Sequence, residues 1–168
     1  MSMNVTAAAS PAATNPLARF TSALFGLFPM SLTMLVLRVT LALPFWKSGL
    51  TKWDDWFTLS FGAKALFTDE FKLHIFGAEY PYPAPELMAY ASAVCEVGFP
   101  VLLVLGLGTR YAALGLVGMT AIIQLTVPDG WMNFHLPWAS MELAILTFGP
   151  GKIALDYLLG LDTVSRPK

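Results

Sequence analysis

Residues 31–50, SLTMLVLRVTLALPFWKSGL, hold one charged side chain, Arg38, before the Lys47 close to their end. A helix needs about 20 mostly apolar residues to cross the hydrocarbon core of a bilayer, and this run supplies them. Three further runs do the same: Leu87 to Leu107 (LMAYASAVCEVGFPVLLVLGL), Tyr111 to Val127 (YAALGLVGMTAIIQLTV) and Pro137 to Leu159 (PWASMELAILTFGPGKIALDYLL). Each is apolar around most of its circumference, which suits lipid better than the half-wet surface of a soluble helix. Pro44, Pro100 and Pro150 interrupt three of them, as neighbouring helices permit inside a membrane. Four spans and three connections predict an all-α integral membrane protein, an antiparallel four-helix bundle.

Composition excludes the rivals. Of 168 residues, 56% are hydrophobic and 12% charged, whereas a soluble domain carries about 25% charge and would aggregate with this much apolar surface. Thirteen glycines without a period and one cysteine exclude collagen-like and disulfide-stapled chains. Ten basic and eleven acidic residues leave no electrostatic footprint for nucleic acid. Residues 1–29 read as an unstructured, Ala/Ser/Pro-rich tail, expected to stay uncleaved, followed by a segment (Leu17 to Pro29) lying on the membrane surface. Residues 30–160 form the membrane domain and 161–168 a short tail.

Basic residues near the span ends set orientation. Arg19, Arg110, Lys152, Arg166 and Lys168 share one side, which predicts both termini in the cytoplasm. Trp46, Trp53, Trp56, Trp131 and Trp138 fall at the opposite, outer interface. In the long first loop Trp53, Phe57 and Phe61 share a helical stripe that Phe67, Phe71 and Ile75 continue. This predicts one or two amphipathic helices over the outer face, serving either as an anchor or as a lid. The run Tyr80-Pro-Tyr-Pro-Ala-Pro85 reads as a stiff extended lead into the second span.

Ionisable groups at membrane depth face inward and pair. At about 1.5 Å per residue, Arg38 and Glu96 lie within an arginine's reach, so they are the expected structural ion pair. Lys47, Gln124, His135 and Glu142 converge in depth beside Trp138. His135 and Glu142 are the candidate reactive, proton-handling groups, with Lys47, Gln124 and Trp138 as candidate cofactor contacts at a quinone headgroup. The competing readings are an inert register pair, a snorkelling Lys47 and a solvated loop His135. Cys95 alone allows no dithiol chemistry. His74 and His135 both lie in loops, so a bis-His haem between helices is not expected, and no metal site is.

These residues carry a resemblance. Arg38 with Phe45-Trp46-Lys47-Ser48-Gly49-Leu50-Thr51-Lys52, then Pro85-Glu86-Leu87 through Glu96 to Leu105-Gly106-Leu107-Gly108-Thr109-Arg110, then Phe134-His135-Leu136-Pro137-Trp138 with Glu142 and Gly149-Pro150-Gly151 resemble the DoxX family of bacterial membrane proteins in order and spacing. The likeness covers about Leu32 to Leu159; the Phe57 to Tyr82 stretch is longer than in minimal members. It implies a four-helix protein of the bacterial inner membrane. It also implies a subunit or accessory of a quinone-linked redox assembly of the thiosulfate:quinone oxidoreductase type, working with a protein partner or as a homo-oligomer. The alternatives are a non-catalytic scaffold recruiting a periplasmic partner through the first loop and a small-solute or metal transporter.

Overall fold

The protein is described by a computed structural model, in which residues 15–26 and 28–162 are described. Expectations for the N-terminal tail up to residue 14 and for residues 163–168 lie outside them. The chain divides into two compact units, 1–30 and 31–168. In the first, Asn15 Oδ1 accepts from the Leu17 amide (2.9 Å) at the start of helix α1, Pro16–Gly26, whose Leu17, Phe20, Leu24 and Phe25 are exposed.

Four long helices dominate the second unit. Helix α2 (Met30–Leu50) and, after the first loop, α4 (Pro85–Leu105) have 21 residues each and are long and apolar enough to cross a membrane. Helix α5 (Thr109–Thr126) follows and packs between α4 and α6 (Leu136–Phe148). The turn from α4 to α5 is tight because Gly106 (φ 68°) and Gly108 (φ 56°) both take the left-handed conformation, which costs glycine little. Any side chain at Gly106 would also collide with Arg38 and Ala154. One buried cluster draws on all four helices: Met34, Leu41, Ala42 and Phe45, then Leu103, then Ala112, Ala113 and Leu116, then Ile145.

Two expectations fail here. The fourth apolar run is not one helix to Leu159. A π-helical turn, Trp131–His135, feeds α6, which stops at Phe148 because Gly149 and Gly151 (each φ 76°) flank Pro150. The chain then runs irregularly to a last short helix, α7, Leu155–Leu158.

The first loop is not amphipathic helix alone. It holds two hairpins, β1–β2 (Trp53–Asp55 with Thr58–Leu59) and β3–β4 (Lys72–Ile75 with Ala78–Pro81). Between them lie a short helix α3 (Phe61–Ala65), capped by Ser60 Oγ, and a π-helical turn at Leu66–Glu70. The four-residue aromatic spacing of Trp53, Phe57 and Phe61 spans a reversal rather than one helical face, since Phe57 turns the chain at φ 58°. Phe76 and Gly77, at φ 50° and 82°, form the paired left-handed turn that suits a two-residue hairpin. Part of the expected extended lead, Tyr80-Pro81, becomes strand β4. Leu59, Phe67 and Tyr82 bury themselves against Ala89 and Ala93 of α4, so the loop has a core of its own.

Candidate functional site

Where α2 ends, Gly49 lies against α4 so closely that an added Cβ would stand 3.0 Å from the backbone carbon and Cβ of Glu96. This approach brings the chain just past α2 over Glu96. Lys52, whose amide bonds back to the Gly49 carbonyl (3.1 Å), directs its ammonium to Glu96 Oε2 (2.5 Å) and Ser48 Oγ (3.0 Å). Ser92, one turn before Glu96, donates to Glu96 Oε1 (2.8 Å). Lys52 and Glu96 are 8% and 4% exposed, so this is a buried, hydrogen-bonded ion pair.

The pair borders a cavity of about 330 Å³. Its walls are apolar and aromatic: Phe45 from α2, Trp138 from α6, Met119 and Ile123 from α5, and Phe67, Phe71 and Tyr82 from the first loop. Phe45 and Trp138 pack ring against ring at 4.9 Å. Tyr82 and Thr126 both line the space and are hydrogen-bonded at 2.5 Å; Thr126 gives its hydrogen to the Ile122 carbonyl, so Tyr82 is the donor. His74 Nδ1 meets the Leu125 carbonyl at 3.1 Å, which ties strand β3 to the end of α5. An apolar chamber with a few convergent polar groups is the usual form of a small-molecule site.

The expected Arg38–Glu96 pair does not form. Arg38, fully buried, donates to the carbonyls of Leu103 (2.9 Å), Val104 (3.4 Å) and Ile153. Leu103 lies seven residues beyond Glu96, about 10 Å further along the same helix. There the α4–α5 turn and the irregular segment after α6 leave carbonyls in need of donors. Asp156 completes that end, accepting from the Gly108 (2.7 Å) and Thr109 (2.8 Å) amides at the start of α5.

The remaining candidates separate into two pairs and an outlier. His135 donates from Nδ1 to Gln124 Oε1 at 2.6 Å, Gln124 Nε2 donates to the Pro128 carbonyl, and the imidazole lies 5.5 Å from the Trp138 ring. Burial pushes the His135 imidazole below its usual range. Glu142 is fully buried and accepts from Thr120 Oγ1 at 2.7 Å; its second oxygen has no partner among the described residues. Lys47 is exposed and joins neither pair. Of the five residues expected around a headgroup, only Trp138 lines the cavity.

A DoxX family profile matches residues 33–129, more than half of the chain. The chain belongs to the DoxX family. It is a membrane protein of that family, and it is 28% identical over 141 residues to an uncharacterized protein of Haemophilus influenzae, covering 76% of this chain and 83% of the relative. No solved structure matches it.

Sequence reasoning about this DoxX protein missed Lys52 and Ser92. Ser92–Glu96 and Ser48–Lys52 are both four-residue spacings, the separation at which side chains meet on one helical face. That was a usable signal. The aromatic roof from Phe67, Phe71 and Tyr82 had none, because it depends on how the hairpins fold back over α4.

Proposed function

We propose that this DoxX family protein is a four-span antiparallel bundle of the bacterial inner membrane, with both termini in the cytoplasm, and that it serves a quinone-linked redox assembly as a subunit or accessory. The observation that carries the reading is the aromatic cavity beside the buried Lys52–Glu96 pair. A quinone headgroup is a planar ring with carbonyl acceptors. Phe45, Trp138 and Tyr82 offer it ring faces, and the ion pair offers it a polar partner.

His135 and Glu142 take a supporting part in this proposal. Trp138 contacts the His135 ring and also lines the cavity, and in this reading the His135–Gln124 and Thr120–Glu142 pairs act as groups that exchange or hold protons. Among the described residues no three His, Cys, Asp or Glu side chains are grouped to hold a metal ion. In this reading electrons come from a partner protein.

The test is thermal unfolding of the purified protein in lipid nanodiscs with increasing decylubiquinone. A rise in Tm that saturates with quinone supports the reading, and no rise at any attainable concentration refutes it. A scaffold role draws on a different observation: Trp56, Phe57, Phe61 and Phe76 stand exposed in or beside the loop hairpins. In that case, replacing Trp56 and Phe57 by serine abolishes partner capture from native membranes, while Lys52→Met leaves it intact.

A further inference from the structure

A lysine ammonium has three hydrogens to donate. Two of those on Lys52 are satisfied, by Glu96 Oε2 at 2.5 Å and Ser48 Oγ at 3.0 Å. No acceptor for the third exists among the described residues, although Lys52 is 8% exposed and lines the cavity. The other hydroxyls on that wall give their hydrogens elsewhere, Ser92 to Glu96, Tyr82 to Thr126 and Thr126 to the Ile122 carbonyl, so Lys52 holds the free donor. The remaining lining is overwhelmingly hydrocarbon and aromatic. A charged donor left without an acceptor in such surroundings is costly, so it selects for a ligand that brings one.

The charge balance narrows the class further. Lys52 and Glu96 cancel, so an anionic headgroup meets no spare cation and a cationic one meets no spare anion. We propose that the third N–H of Lys52 binds a carbonyl oxygen of a neutral, planar, lipophilic ligand whose ring lies among Phe45, Trp138 and Tyr82. At about 330 Å³ the cavity holds a headgroup, and a long tail extends beyond it. Lys52 is thus a ligand-positioning residue, paired with Glu96 so that its charge is neutralised while a donor is kept free. The inference rests on the reading of the cavity as a quinone site and names the contact that makes it selective.

Cys95, the only cysteine of the chain, lines the same cavity and serves as a reporter. The experiment follows the rate of Cys95 alkylation by N-ethylmaleimide in the full-length protein in nanodiscs. Decylubiquinone, whose ring has no free position for thiol addition, is compared with decanoate and with dodecane. In the native protein decylubiquinone slows alkylation several-fold, and the two acceptor-poor or charged probes do so far less. In Lys52→Met, and in Lys52→Met/Glu96→Leu, which leaves no orphan charge to unfold the protein, half-protection needs about tenfold more quinone, the worth of one charge-assisted hydrogen bond. Equal protection of native and double-variant protein overturns the role of Lys52 but leaves the cavity as a quinone site. Equal protection by dodecane overturns the acceptor requirement. Alkylation of the native protein that no probe slows removes the cavity reading itself.

Discussion

Lys52→Met removes one half of a buried ion pair and keeps most of the side-chain volume. Glu96 is 4% exposed and would be left with a single donor, the Ser92 hydroxyl at 2.8 Å. Removing one partner of a buried, hydrogen-bonded pair costs about 3–5 kcal/mol, because the other charge stays desolvated. The adjoining cavity admits some relaxation, which places the expected loss near the lower figure, about 3 kcal/mol. For a chain of this length that corresponds to a fall in Tm of roughly 6–12 °C. Adding Glu96→Leu removes the stranded carboxylate, and an apolar pair of similar volume is often as stable as the ion pair. The double variant is therefore expected within about 1 kcal/mol of the native protein, so the second substitution recovers about 2 kcal/mol of the loss. Unfolding in nanodiscs, followed by tryptophan fluorescence, measures all three proteins. A single variant that loses less than about 0.5 kcal/mol, or a double variant as unstable as the single, would refute the account of this pair.

Four further outcomes follow from the same geometry. Gly49→Leu forces side-chain atoms into the Glu96 backbone, which a bare Cβ already approaches to 3.0 Å; it should cost about 1–3 kcal/mol, read by unfolding, and Gly49→Leu as stable as native would contradict the close crossing. Tyr82→Phe deletes the donor to Thr126 and about 1 kcal/mol of net hydrogen bonding; if the first loop covers the cavity, Cys95 alkylation speeds up, and an unchanged rate shows that the loop does not limit access. Asp156→Ala strips the Gly108 and Thr109 amides of their acceptor and should lose about 2–4 kcal/mol in the same unfolding assay. His135 has its pKa below the ordinary 6.5 because it is buried. The unfolded chain therefore takes up the proton first, and the His135 contribution is complete above pH 6.5 and declines as pH falls below it. His135→Phe should flatten that decline, and a variant with an unaltered stability–pH profile would show that His135 titrates as an exposed imidazole does.

Apolar length was legible without coordinates. The runs that become α2 and α4 are 21 residues of nearly uninterrupted hydrocarbon, and only a helix satisfies its own backbone in that setting. The glycines that turn α4 into α5 were equally plain, and the family could be inferred from motifs in order. Partners were not legible. Counting residues gives depth along a helix but not the direction a side chain takes, so Arg38 and Glu96 looked close enough to pair. Arg38 instead serves carbonyls exposed by a turn and by the Gly-Pro-Gly break, a demand that exists only once those segments are folded beside it.

The loop shows the same division. Its aromatic spacing fits a helix until Phe57 and Phe76 adopt left-handed backbone, which no residue preference announces for phenylalanine. Sequence by itself determined that this chain belongs in a membrane, where its long helices begin, and that a few polar residues must be satisfied inside it. Which lysine turns inward was decided by the contact of Gly49 with Glu96, a matter of two surfaces meeting at 3.0 Å. Lys47, on the exposed side of α2, and Lys52, folded back over its end, carry the same charge in the same short motif. Only packing between α2 and α4 distinguishes them, because burying an ammonium is tolerable solely where a carboxylate is already waiting.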